Sequence, residues 1–161
     1  MARILIVGCG CRGQELARAL SQTGHAVRGT TRDPGRIADI EAAGAEGAGA
    51  DPDRLGTLLP LLAGVTVVCW LMGTAAGEGV EALHGDRLES LLAKLVDSGV
   101  RGLVYEAAGS VDAALLAGGA ELVRAAGSAN SMPVAVIDAA PADHDAWLHA
   151  AAAAVGRVLA G

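Results

Sequence analysis

Gly8, Gly10 and Gly13 stand at the spacing G-x-G-x-x-G in the run Gly8-Cys9-Gly10-Cys11-Arg12-Gly13. Glycines so placed act by letting the main chain come close to an anion. The first permits a tight reversal, the second leaves room for a pyrophosphate, and the third lets a helix pack closely on a strand. The spacing alone is weak, so its context decides. Arg3-Ile4-Leu5-Ile6-Val7 reads as a buried strand before the turn, and Gln14-Glu15-Leu16 opens a helical pattern after it. A strand feeding a helix in this way aims free backbone N–H groups past the strand's end, which is how a dinucleotide's phosphates are held. A small-molecule dinucleotide is the expected ligand. A tight turn without a ligand is the plain alternative.

The end of the second expected strand bears on which dinucleotide. A site for NAD normally carries Asp or Glu there, to accept from the ribose 2′-hydroxyl. Here the residues are Gly29-Thr30-Thr31-Arg32-Asp33. The Thr31 hydroxyl and the Arg32 guanidinium suit a 2′-phosphate dianion, and Arg12 inside the turn offers a second positive charge. Asp33 reads either as a displaced ribose ligand or as the cap before Pro34. On balance the residues prefer NADP over NAD.

These groups need a scaffold, and the rest of the chain supplies its rhythm. Strands are expected near 3–7, 26–30, 45–49, 65–70, 101–105 and 133–137. Helices are expected near 13–23, 34–43, 53–62, 84–97, 111–126 and 143–160. Asp33-Pro34, Asp51-Pro52-Asp53 and Asp143 read as helix starts, while Thr23-Gly24 and Ser98-Gly99 read as helix ends. Strands alternating with crossover helices give a parallel sheet. The fold expected is an α/β, doubly wound, Rossmann-like single domain over 1–161, with about six strands in the order 3-2-1-4-5-6. The third strand has the poorest propensity, being Ala45-Glu46-Gly47-Ala48-Gly49. Residues 73–83 read as a glycine-rich loop over the ligand edge.

Composition narrows the partners. The chain has 161 residues, no Phe, one Tyr and two Trp, so its core must rest on Ala, Val, Leu and Ile. A net charge of −6 without basic clusters argues against nucleic acid or an anionic membrane. Three cysteines, two of them in the turn, form no disulfide framework and fit a reducing, cytoplasmic setting. Residues 4–7 are too short for a signal peptide, and no run reaches membrane-spanning length. The five alanines at 150–154 read as a helix packed closely on the sheet, with a homodimer interface as the alternative. His144 and His149 do not share a helical face and read as surface residues, without a metal.

Beyond the turn, the pattern resembles the atypical and extended short-chain dehydrogenase/reductases, the group of NAD-dependent epimerase/dehydratase and NmrA-like proteins. The resemblance covers most of the chain. His25-Ala26-Val27-Arg28-Gly29-Thr30-Thr31-Arg32-Asp33-Pro34 is similar to the family's second strand, which often ends in Arg-Asp-Pro. Gly49-Ala50-Asp51-Pro52-Asp53-Arg54-Leu55 resembles the segment whose Asp, here Asp51, lies near adenine. Val65-Thr66-Val67-Val68-Cys69-Trp70 resembles the fourth strand, after which Leu71, Met72 and Gly73 would run along the cofactor. Val100-Arg101-Gly102-Leu103-Val104-Tyr105 resembles the fifth. The resemblance implies an oxidoreductase that binds NADP(H).

The family's engine does not follow. Its Tyr-x-x-x-Lys pair uses Lys to lower the Tyr pKa for proton exchange with a carbonyl or alcohol. Here the one Lys, Lys94, precedes the one Tyr, Tyr105, and Gly109 stands four residues after that Tyr. The sequence also ends soon after the sixth expected strand, where extended members add a substrate-binding region. The remaining catalytic candidates are Tyr105 and Glu106, with Ser110 and Asp112 nearby, at the end of the fifth strand, and His84 near the glycine-rich loop. A non-enzymatic sensing or regulatory module is the rival expectation. Replacing Arg32 with Ala is expected to weaken NADPH binding far more than NADH binding in direct titration. Equal losses would remove the preference for NADP.

Overall fold

Parallel strands must be joined by crossovers, and this chain supplies one after every strand but the last. The computed structural model describes residues 1–161. Its strands are β1 (Arg3–Val7), β2 (Ala26–Thr31), β3 (Glu46–Gly49), β4 (Val67–Trp70), β5 (Gly102–Glu106) and β6 (Val134–Ile137). Its helices are α1 (Cys11–Gln22), α2 (Ile37–Ala42), α3 (Val80–Leu83), α4 (Asp86–Val96), α5 (Ala113–Asn130) and α6 (His144–Ala160). The sheet has six strands, all parallel, in the order β3-β2-β1-β4-β5-β6. This is the expected doubly wound, Rossmann-like arrangement. Its switch point lies between β1 and β4, where Ile4 is in register with both Val27 and Val67.

Both faces of the sheet's centre are covered, so β1 from Ile4 onward and β4 are apolar on both sides. Ile4 and Ile6 pack on one face with Leu16, Ala17 and Leu20 of α1 and with Trp147, Ala151 and Ala154 of α6. Leu5 and Val7 pack on the other face with Leu88, Leu91 and Leu95 of α4 and Val123 of α5. Small residues set the helix–sheet distances. Ala151 and Ala154 are fully buried while Ala153 is exposed, so the alanine run meets the sheet along one face. A Cβ on Gly47 would sit 2.8 Å from Ile37 Cγ2, so glycine in β3 lets α2 lie close against it. Poor strand propensity at β3 thus accompanies a packing requirement, and pairing with β2 supplies its hydrogen bonds.

Three expected helices come out differently. The segment 34–43 begins as a 3₁₀ turn, Pro34–Arg36, before α2. The segment 53–62 forms only the 3₁₀ turns Leu55–Thr57 and Leu59–Leu62. Pro60 has no N–H to give, and Asp51 turns back to accept from the Asp53 amide at 2.9 Å. The segment 84–97 becomes helical only from Asp86, as α4, because the Gly85 backbone is non-helical, and the expected loop 73–83 ends in the short helix α3. Asp33 and Asp143 cap as expected, accepting from the Gly35 and Ala146 amides at 2.9 and 3.3 Å. No helix is long and apolar enough to cross a membrane.

Candidate functional site

The ends of β1 and β2 place the glycine turn. Gly8 has φ +84°, and a Cβ there would lie 2.6 Å from the Leu71 carbonyl oxygen, so only glycine suits this position. Gly10 faces open space, with nothing within 4 Å of where a Cβ would be. A Cβ at Gly13 would stand 3.2 Å from the Gly8 carbonyl oxygen, which is the close helix–strand contact expected of the third glycine. No side chain caps α1, and the amides of Cys11, Arg12 and Gly13 have no acceptor within the chain. They leave the helix's positive end free to meet an anion.

Beside the turn lies a cleft of about 320 Å³, with Gly8, Gly10, Leu71 and Met72 along it and Thr31, Arg32, Asp33 and Arg36 at the β2 end. Arg32 is exposed and forms no ion pair. The Asp33 carboxylate is engaged on the Gly35 amide, with Arg36 Nε 3.9 Å from its other oxygen. Arg36 was absent from the sequence expectations. The available signal was the Asp33-Pro34-Gly35 turn, which curls the chain back and brings the fourth residue after Arg32 to the same rim. Asp51 and Gly73 lie outside the cleft lining, whereas Ala50 and Pro52 belong to it. Cys9 is buried in the space left by Gly29, and desolvation pushes its thiol up to about 12. Cys11 is exposed at the start of α1.

Arg12 does not reach the β2 end of the cleft. It turns the other way, to Glu106 at the end of β5, donating from Nη2 to Oε1 at 2.9 Å and from Nε to Oε2 at 3.2 Å. The Gly73 amide also donates to Oε1, and the Trp147 indole N–H to Oε2, both at 2.8 Å. The guanidinium carbon lies 5.4 Å from the centre of the Trp147 ring, within cation–π range. Glu106 is fully buried, and donors occupy both of its oxygens. The expected second charge for a 2′-phosphate is therefore committed elsewhere, because a buried carboxylate needs it more.

Tyr105 and His84 form a second closed pair. His84 Nε2 lies 2.9 Å from the Met72 carbonyl oxygen and must carry the proton to donate to it. Nδ1 is then the acceptor for the Tyr105 hydroxyl, 2.5 Å away. Burial lowers the His84 pKa, against smaller opposing effects of the Met72 carbonyl and the Glu106 charge. Burial, helped by Glu106, raises that of Tyr105. His84 is 3% exposed and Tyr105 is wholly enclosed, its hydroxyl in the space left by Gly119. The three named catalytic candidates are thus in the interior. Asp112 caps α5 through the Ala114 amide, and exposed His144 meets Glu15 at 3.0 Å across α1 and α6.

The same fold occurs in solved proteins. Vestitone reductase from alfalfa (Medicago sativa L.) matches with a TM-score of 0.64 and 16% identity, over 86% of this chain and 56% of that one. A short-chain dehydrogenase from Streptomyces avermitilis matches at 0.63 and 19%, over 84% and 63%. UDP-N-acetylglucosamine 4-epimerase from Bacillus cereus matches at 0.66 and 15%, over 86% and 53%. At such identities the likeness is one of fold, and the chain spans less than two thirds of each. No protein-family model matches the sequence, and no curated protein sequence does.

Two outcomes follow. Glu106→Gln puts an amide NH₂ where only donors face it and leaves Arg12 half-satisfied. It is expected to lower the unfolding free energy by about 3 kcal/mol, read as a reduced urea midpoint. A loss below about 1 kcal/mol would reduce the pair to the worth of an exposed one. For His84, the folded pKa lies below the unfolded value of 6.5. As pH falls through that value the unfolded chain takes the proton first, so stability drops until the folded pKa is passed. Urea midpoints between about pH 7 and pH 5 are expected to fall, and His84→Gln to remove that part of the slope.

Proposed function

We propose that this chain is an NADP(H)-binding domain of the cytoplasm, whose role is to bind the dinucleotide rather than to turn it over. The observation that carries this is the division of charge around the cleft. Thr31, Arg32, Asp33 and Arg36 gather at the β2 end, with Arg32 in no ion pair, while the Asp33 carboxylate accepts from the Gly35 amide through Oδ1 and has Arg36 Nε 3.9 Å from Oδ2. An uncommitted guanidinium is chemistry for a phosphate dianion; a ribose hydroxyl calls for a free carboxylate. Gly8, Gly10 and Gly13, with the amides of Cys11, Arg12 and Gly13, would hold the pyrophosphate at the start of α1. Leu71 and Met72 would form an apolar wall along it.

When bound, a nicotinamide supplies hydride chemistry. The chain's residues would bind and orient the dinucleotide, but Tyr105, His84 and Glu106 face one another or buried donors instead of the cleft. A reductase reading is supported by the fold shared with vestitone reductase and the short-chain dehydrogenase. It would need a proton donor other than these three. Thermal unfolding with NADPH, NADH and coenzyme A separates the readings. NADPH at about a hundred times its Kd is expected to stabilise the fold by about 2.7 kcal/mol, and NADH at the same concentration by clearly less. No stabilisation by either dinucleotide would remove the proposal. NADPH oxidation across a panel of carbonyl compounds, lost on a Gly10 substitution, would replace the binding role with an enzymatic one.

A further inference from the structure

A dinucleotide on a doubly wound sheet lies across two halves, one over β1–β3 and one over β4–β6. In this chain the halves are unequal. The cleft is lined by residues from Gly8 to Leu83, with none from β5, β6 or the segments after them. Its volume of about 320 Å³ is at the small end of the ~300–1,000 Å³ spanned by small-molecule sites.

Over the second half, main chain meets main chain. The Gly73 carbonyl accepts from the Val111 amide at 3.0 Å, and the Gly73 amide is held by Glu106 at 2.8 Å. A Cβ on Gly73 would collide with the Ala108 carbonyl oxygen, and one on Gly109 with the Gly73 carbonyl. Gly109 has φ +144°, so the β5 loop takes a backbone conformation that suits glycine in order to lie against the β4 loop. A rotating side chain could open such a closure cheaply; a backbone seam pinned by a buried ion pair does not. Glu106, the group at the end of β5 able to accept from a ribose, has no lone pair to spare.

We propose that the cleft recognises the 2′-phosphoadenosine diphosphate half of the dinucleotide alone and leaves the nicotinamide in solvent. The inference rests on the NADP(H) reading above and adds that the redox state of the ligand is not read. Its chemistry is an adenosine carrying a diphosphate at one end and a ribose phosphate at the other. Coenzyme A presents a related group with the phosphate on the neighbouring ribose carbon.

Calorimetric titration with NADPH, NADP⁺, 2′-phospho-ADP-ribose (the dinucleotide without its nicotinamide) and coenzyme A tests it. All three 2′-phosphorylated ligands are expected to bind within about fivefold of one another, a spread of about 1 kcal/mol. Bound NADPH is expected to keep the fluorescence of the free nicotinamide. NADPH binding more than about fivefold tighter than 2′-phospho-ADP-ribose would overturn the inference and leave the NADP(H) reading standing. Coenzyme A binding in preference to all three, or no binding at all, would overturn both.

Discussion

A carboxylate with no access to water must be surrounded by donors, and Glu106 organises the molecule around that requirement. Its donors come from three places. Arg12 stands in the glycine turn, Gly73 follows β4 and Trp147 is on α6, and all three converge on Glu106 at the end of β5. None is near another in sequence. Each oxygen is met by charged and neutral N–H groups, so the desolvation of the charge is offset by geometry. The glycine turn is thereby tied to β5 and α6, and the seam between Gly73 and Gly109 stays shut.

That commitment shapes the rest of the site. Arg12 neutralises the interior, so positive charge for a ligand must come from Arg32 and Arg36 at the rim. Asp33, the residue best placed to discourage a 2′-phosphate, is drawn into capping a 3₁₀ turn. The same interior sequesters Tyr105 and His84, each satisfying the other in a dry environment where a lone polar group would be costly. Thr31, Arg32 and Arg36 line the cleft, and Tyr105, His84 and Glu106 face inward. This separation is the physical basis for reading the domain as a binder.

The strand rhythm was legible because parallel strands buried on both faces read as Val- and Ile-rich runs, here Ile4–Val7, Val67–Trp70 and Leu103–Tyr105. The glycine turn was legible because its context is local. The short 3₁₀ turns near Leu55–Leu62 were not, since apolar spacing alone does not register that Pro60 withholds an N–H and that Asp51 competes for backbone donors. Arg36 was missed because its approach depends on how a turn curls, not on a spacing. The pairing of Arg12 with Glu106 was not legible for a deeper reason. The two lie 94 residues apart, and only the packing of β5 beside β4 brings them near.

By itself, then, the sequence determined the sheet, the strand order and the position of the glycine turn, because periodicity and turn chemistry act over a few residues. It also determined that the chain holds no Tyr-x-x-x-Lys, since its one Lys precedes its one Tyr. Tertiary structure alone decided which charges are free. Arg12 and Arg32 are equal as letters, yet one is consumed by a buried carboxylate and the other stands in no ion pair. The difference is desolvation. A charge's availability depends on what folding removes from water around it, and no spacing along the chain records that.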